Sequence, residues 1–542
     1  MPFAPDDIRK FVRLRFGGGL NTRSPEHEVE DDECVSSSEN FDLDYKSSLL
    51  QRRKPFDLVA TATNGQEIRG YAQLVKRDNT ISTLIQAGST FYTWDGATTF
   101  VSVGTVNAQA KMRGPRTANW TLSDLALIAD INESEVVKTW DGTTLATLTH
   151  NLAGDFFARY ITVQKDRAVY ANVKSGTAVP HVIAASALAD HDNLDVTNRP
   201  SSSLAVTAAF FLTTPDLKPC NGVVDAFGLL MFSSERGRIY KLSGSNSQNF
   251  SIEQLYPDSG AVGYESIAYI GNDVSYGRTG RIETLFATEA LGNVATDDLS
   301  RWIRPNVETV DEWIFAYNPR LQKVYIFDPV NETIWVFNKD FVDDSRVRRL
   351  SAQRDISELS PWSKWKTNHS FGFRPSCVFT ILDPLTGLEA TYMGGTAGQI
   401  YRLEGTGSQD GGTTNISVTR ISKAFDPPQF GQAYRVSGYI MYRRIAAATV
   451  TLTAMWGGKE LSDDSITITL EAATGGIFWG GANYWGGANY FGVPFTGRFH
   501  RQPLENVPGK GEQMQIKVAV AGSTDFYIKE IGLELEVEAP AE

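Results

Sequence analysis

Short apolar runs separated by turn residues dominate the chain, and their alternation has the two-residue period of half-buried strands. LIQAGSTFYTWDGATTF (84–100) reads as a strand, a tight turn, a second strand and an Asp-Gly corner into a third. LIADINESEVVKTWDGTTLATL (127–148) repeats that order. Glycine accepts the positive φ that a two-residue hairpin turn demands, so each corner is a strong hairpin signal. Trp94 and Trp140 precede the two corners and can cover them with a large apolar face. Weaker copies follow as IYKLSG from Ile239, IWVFNK from Ile334 and IYRLEG from Ile400, each behind a strand and a turn. The starts at 91, 137, 239, 334 and 400 are 46, 102, 95 and 66 residues apart, with strand-like VYANV (169–173) and IETLFA (282–287) inside the longer gaps.

A period of about 40–50 residues with about four strands per unit is the pattern of a β-propeller. The expectation is therefore an all-β chain with a central β-propeller over 59–404, of six or seven blades. A long β-sandwich with recurring hairpins is the rival. Residues 1–58 read as an irregular arm, basic at Arg9, Lys10, Arg13 and Arg15 and then acidic in EHEVEDDE (26–33). Deletion of residues 1–40 is expected to leave the propeller folded, because blade cores are local, while preventing ring or adaptor docking. The Gly-rich EGTGSQDGGTT (404–414) reads as a boundary. Beyond it, over 405–542, six alternating strands from ISVTRISKAF to FYIKEIGLELEVE predict a C-terminal β-sandwich. NLAGDFFARY (151–160) is the strongest helix candidate.

Composition agrees with strands and turns: 11% of residues are aromatic and 47 are glycine. No apolar run approaches the ~20 residues of a membrane span, and the N-terminus lacks a signal core, so a protein made in a cytoplasm is expected. Cys34, Cys220 and Cys377 are too far apart in sequence for a zinc knuckle or a disulfide framework. The formal charge of −12 argues against a protein that grips phosphates. It is compatible with DNA passing nearby, since a negative wall prevents sticking.

The search for chemistry leaves no active site. FGGGLNT has neither a dinucleotide fingerprint nor a phosphate loop, and the acidic run lacks calcium-loop spacing. The six histidines show no ligand pairing, and His191 beside Asp190 and Asp192 reads as a turn. No GxSxG occurs. No enzyme activity, cofactor or metal is expected. FWGGANYWGGANYFG (478–492) holds the hexapeptide WGGANY twice. Trp479, Tyr484, Trp485 and Tyr490 read as contact residues, with the sandwich interior and sugar stacking as alternatives. Arg13 and Arg15 are the candidate contacts of the arm.

FGGGLNTRSPEHEVEDDECVSSSENFDLD followed by LLQRRKPFD resembles the opening of tail nozzle, or tail hub, proteins of short-tailed bacteriophages. DAFGLLMFSSERGRIYKLSGSNSQNFSIEQL, GAVGYESIAYIGNDVSYGRTGRIETL and DEWIFAYNPRLQKVYIFDPVNETIWVFN resemble blades of that family in their order. The likeness covers the arm and the propeller, about three quarters of the chain. It implies a structural virion protein in a homo-hexameric ring below the portal and the head–tail adaptor. Tail fibres or spikes, and a needle or plug, would be its neighbours, and the genome would leave through the lumen without specific binding. The alternative is a receptor-binding or glycan-degrading tail protein, which is usually trimeric.

Overall fold

The computed structural model describes residues 9–16, 18–23, 34–44, 49–112, 118–120, 123–226, 229–233, 238–256, 260–270, 273–287, 294–339, 360–367, 375–425, 433–443, 447–456, 459–470, 499–510, 513–521 and 524–537. Among the described residues strand accounts for 56% and helix for 3%, which makes the protein nearly all-β.

Seven antiparallel four-stranded units follow one another in sequence. Sheet I is Ile68–Val75, Ile81–Ala87, Thr90–Trp94 and Phe100–Thr105. Sheet II is Ala118–Trp120, Leu125–Ile128, Lys138–Trp140 and Leu145–Thr147. Sheet III is Phe156–Gln164, Arg167–Ser175, Thr177–Ala185 and Phe210–Thr213. Sheet IV is Cys220–Asp225, Leu229–Ser233, Ile239–Ser243 and Ser251–Tyr256. Sheet V is Ile267–Ile270, Asp273–Arg278, Arg281–Ala287 and Val294–Asp298. Sheet VI opens with Ile314–Asn318, Lys323–Asp328, Thr333–Asn338 and Trp362–Trp365. Sheet VII takes three strands in order, Cys377–Leu382, Glu389–Gly394 and Gln399–Arg402, but its fourth is Asp57–Thr61 from before sheet I.

All five sequence repeats fall on the third strand of a sheet, at 90–94, 138–140, 239–243, 333–338 and 399–402. An interior strand is covered on both edges, so it carries a dense apolar signal; in Thr333–Asn338 every residue is buried. The twin corners turn as expected, with Gly96 at φ +85° and Gly142 at φ +97°. In each, the aspartate accepts from backbone N–H groups beyond the glycine: Asp95 from Ala97 at 2.8 Å, Asp141 from Thr144 at 2.7 Å.

Successive sheets share apolar cores. Phe91 and Trp140 join I to II, Leu127 and Phe156 join II to III, and Ile183 and Tyr240 join III to IV. Phe232 and Tyr276 join IV to V, Ile282 and Trp335 join V to VI, and Ile334 and Tyr401 join VI to VII. Sheet VII in turn shares a core with sheet I, through Phe379, Tyr392, Ile85 and Trp94. Trp94 and Trp140 therefore do the same work. Each lies in the core shared with the sheet before its own.

Three expectations are corrected here. The first 58 residues are not an irregular arm. Arg9–Leu14 pairs antiparallel with Tyr527–Val537, and the hairpin Phe41–Asp44/Leu49–Arg52 extends the same sheet. Cys34–Glu39 lies between Trp362–Trp365 and Val418–Ser422, so a deletion of residues 1–40 cuts a continuous nine-stranded sheet. The 151–160 helix does not form, because Phe156, Ala158 and Tyr160 alternate into the core of a strand. After residue 405 the described residues hold seven strands rather than six, since Phe499–Lys510 adds one. Arg9–Leu14, the 41–52 hairpin, Ala433–Arg443, Phe499–Lys510 and Tyr527–Val537 form one six-stranded sheet. Beyond Cys34–Glu39, sheet VI continues through Val418–Ser422, Met514–Ala521, Ala448–Trp456 and Lys459–Leu470. The two sheets bury a common core with sheets V and VI.

Polar joints lock this second layer to the first. Gly19 and Leu20 donate to the carbonyls of Ser360 and Trp362 at 2.8 and 2.9 Å. A Cβ on Gly19 would stand 2.1 Å from the Trp362 oxygen, so only glycine fits. Arg53 and Asp410 are both buried. The Arg53 guanidinium reaches both carboxylate oxygens of Asp410 (2.9 and 2.5 Å), Asn40 Oδ1 (2.9 Å) and the carbonyls of Lys54 (3.0 Å) and Lys366 (2.9 Å). Lys323 Nζ donates to Asp42 (2.7 Å) and Glu404 (2.6 Å). Burial would lower the Lys323 pKa, but the two carboxylates outweigh it and hold the ammonium well above its ordinary value. The 404–414 segment, read as a boundary, is thus pinned at Glu404 by Lys323 and at Asp410 by Arg53.

Candidate functional site

The first strands of six of the seven sheets line one cavity of about 420 Å³. Alternation along each strand sends every second residue inward. Sheet I presents Tyr71 and Gln73, sheet V Tyr269, sheet VI Tyr317 and sheet VII Thr380; Asp225 ends the first strand of sheet IV. Tyr71 stacks on Phe379 with centroids 4.7 Å apart. Gln73 bridges the first and last sheets with both ends of its amide: Nε2 donates to Leu382 O at 2.7 Å, and Leu382 N–H donates to Oε1 at 2.9 Å. It copies a backbone pairing where two inner strands diverge.

A second cavity of about 390 Å³ opens where several of these strands begin, lined among others by Lys111, Arg159, Asn221, Glu265, Asp311 and Glu312. Arg159 pairs with Glu133 at 2.6 Å, and Trp313 Nε1 donates to Arg278 O at 2.9 Å. Burial pushes the Tyr160 phenol well up, so it stays a neutral donor. Both volumes lie within the ~300–1,000 Å³ of small-ligand pockets. Neither is a passage for a duplex.

Among the described residues, no group of three or more His, Cys, Asp or Glu is placed to hold a metal ion. No helix among them is long and apolar enough to cross a membrane. All three cysteines are buried thiols, and burial pushes Cys220 up to about 12.

No protein-family model matches the chain, and no curated protein matches it. Solved structures match weakly. Kuenenia stuttgartiensis hydrazine synthase is 12% identical with a TM-score of 0.39, over 64% of this chain and 97% of that one. Kluyveromyces lactis Hsv2 is 13% identical with a TM-score of 0.29, over 60% and 93%. An exo-β-1,3-galactanase from Phanerochaete chrysosporium is 11% identical with a TM-score of 0.26, over 89% and 100%. At these scores nothing is carried over from them.

The residues singled out in the sequence do not meet in the cavities. Arg13 stands exposed on the strand Arg9–Leu14, 3.4 Å from Glu530, with Arg15 exposed just past its end. Trp479, Tyr484, Trp485 and Tyr490 lie outside the described residues. His191 is half-buried with its ring 5.4 Å from Trp120. Desolvation lowers its pKa against the pull of Asp192 and Asp190. Sequence reasoning missed Tyr71, Tyr269 and Tyr317. Their signal is positional: Tyr71 and Tyr317 sit in the first strand of a unit whose third strand carries a repeat, and Tyr269 in the first strand of the unit that contains IETLFA.

Proposed function

We propose that the seven sheets are the blades of a seven-bladed β-propeller. The cyclic succession of shared cores, returning from VII to I, supports this reading, as does the fourth strand of VII, which is borrowed from residues 57–61. The remaining strands form a sandwich fused to the sixth blade. On this architecture the chain is a structural virion protein of the tail nozzle or hub type, without enzymatic activity. Six copies form a ring on the head–tail adaptor, and the ring carries fibres or spikes.

One observation carries the proposal. The segments that resemble nozzle proteins, GGLNT (18–22), ENFDLD (39–44) and LLQRRKPF (49–56), supply the joints between propeller and sandwich through Gly19, Asn40, Asp42 and Arg53. Motifs placed there serve rigidity, which a pressure-bearing ring needs. The axial cavity is too small for a duplex, so the genome passes through the lumen between copies, where the net charge of −12 per chain keeps phosphates from adhering. Native mass measurement or cryo-electron microscopy of tails should find six copies; three would overturn the reading.

A second reading, a glycan-binding tail protein, is favoured by the Tyr71, Tyr269 and Tyr317 lining of the 420 Å³ cavity. Calorimetry with host-surface oligosaccharides tests it. Binding abolished by Tyr269→Ala would support it over the scaffold.

A further inference from the structure

The six-stranded sheet turns one face to the shared core, and its other face is outward. Among the described residues the two exposed phenylalanines, Phe11 (52% exposed) and Phe499 (39%), both stand on that outward face, on different strands. Around them cations lie against rings. Arg501 sits 3.7 Å from the Tyr439 centroid, Lys529 is 4.7 Å from Phe499, and Arg13 is 5.6 Å from Phe11. Phe11 stacks on Tyr439 at 6.4 Å, so the strip is continuous across three strands. Gly532 lies beneath Tyr439; a Cβ there would meet the ring at 2.4 Å, so the glycine lets the tyrosine lie flat along the sheet.

We propose that this face seats on an acidic surface of a second copy of the chain. The inference rests on the ring reading above and names the contact that builds the ring. Exposed aromatics with arginines are the composition of interface centres, where rigid rings supply area at low entropic cost. Charge selects the occupant. The face sets Arg13, Arg443, Arg501 and Lys529 against Glu530, Glu534 and Glu536, a small cationic excess on a chain that carries −12 as a whole, so acidic surface is in excess on every other copy. Two different complementary patches on one chain make a head-to-tail contact, and such contacts close into rings. A nucleic acid suits the face less well, because Glu530 accepts from Tyr439 and pairs with Arg13 in the middle of the strip.

The test compares full-length wild type with Phe11→Ser/Arg501→Glu and with Arg501→Glu alone, using mass photometry over a salt series. Circular dichroism and melting curves run in parallel. Wild type is expected as rings that loosen with salt. Both variants should run as monomers at tenfold higher concentration, with Arg501→Glu keeping the wild-type melting curve. Rings formed equally by wild type and Arg501→Glu overturn this contact and leave the nozzle reading standing. A wild type that forms no rings overturns the nozzle reading itself. Wild-type retention of a labelled oligonucleotide that Arg501→Glu loses, with rings intact, reassigns the face to nucleic acid.

Discussion

Replacing Asp410 by alanine should be among the most damaging single changes in the chain, although it lies in a glycine-rich segment with no secondary structure of its own. Its carboxylate is 1% exposed and accepts four hydrogen bonds: two from Arg53, one from Phe56 N at 3.0 Å and one from Thr367 Oγ1 at 2.7 Å. The Arg53 guanidinium is fully buried, and its five N–H groups are all used. Alanine leaves that cation in place with no counter-charge, a situation that costs about 3–5 kcal/mol. Asp410→Asn keeps the shape and one acceptor, so it should lose roughly half as much, in line with about 1.5–3 kcal/mol for a hydrogen bond to a charged group. Arg53→Met/Asp410→Leu should recover part of the alanine loss, because an apolar pair has no charge to strand, but not all of it. The amide of Phe56 loses its acceptor in both variants, and the carbonyls of Lys54 and Lys366 lose their donor in the double one. Urea unfolding of the full-length chain gives the stabilities, and limited proteolysis reports on 404–414 directly. Cleavage there should accelerate at least a hundredfold in Asp410→Ala. A variant within about 1 kcal/mol of wild type, its 404–414 segment still resistant, would refute the claim that this pair locks the joint.

Gln73→Ala removes both hydrogen bonds between Gln73 and Leu382 and leaves Leu382 N–H unpaired, so a loss of about 1–3 kcal/mol is expected, with faster hydrogen exchange at Leu382 than at Tyr392. Gly19→Ala forces backbone apart at Trp362 and should abolish soluble expression or cost several kcal/mol; a melting temperature within two degrees of wild type would contradict the close packing. Asp525 is penalised by burial, but hydrogen bonds from Arg52 and Lys54 outweigh that and hold its pKa below the ordinary value. Its contribution is therefore full above the unfolded carboxylate range and is lost as pH falls through the depressed folded value. Acid unfolding of Asp525→Asn should accordingly show a shallower slope below about pH 4.

What could be read from the sequence was local. The repeats announced themselves because each lies on an interior strand paired along both edges, and the two clearest end in a turn with fixed stereochemistry, as at Asp95-Gly96. Sheets III and V left only spacing and strand-like fragments, since Thr177–Ala185 begins at an exposed edge and carries no corner motif. Long-range pairings were hidden. RKFVRL has Val12 and Leu14 buried with Phe11 and Arg13 exposed, a regular strand pattern, yet its partner begins at Ile531. Charge and glycine content made residues 1–58 look irregular because, the 41–52 hairpin apart, their strands pair with segments hundreds of positions away. The candidate contacts divide likewise. Arg13 was found through its charge, while Phe499 and Arg501 were passed over because FHRQP reads as a loop when its neighbours in the sheet are unknown. The tryptophans of the doubled hexapeptide fall outside the described residues.

The strand borrowed by sheet VII has a consequence in time. Asp57–Thr61 leaves the ribosome long before Gln399–Arg402, its partner strand among the described residues, which begins 338 positions after Thr61. At a synthesis rate of about 5–20 residues per second, that strand waits roughly 20–70 s with its edge open. Arg9–Leu14 waits longer still, for Ile531. These early segments are thus satisfied only by late ones. A chain interrupted before Ile531 cannot cover Val12 and Leu14, so unfinished copies stay recognisable to chaperones and proteases.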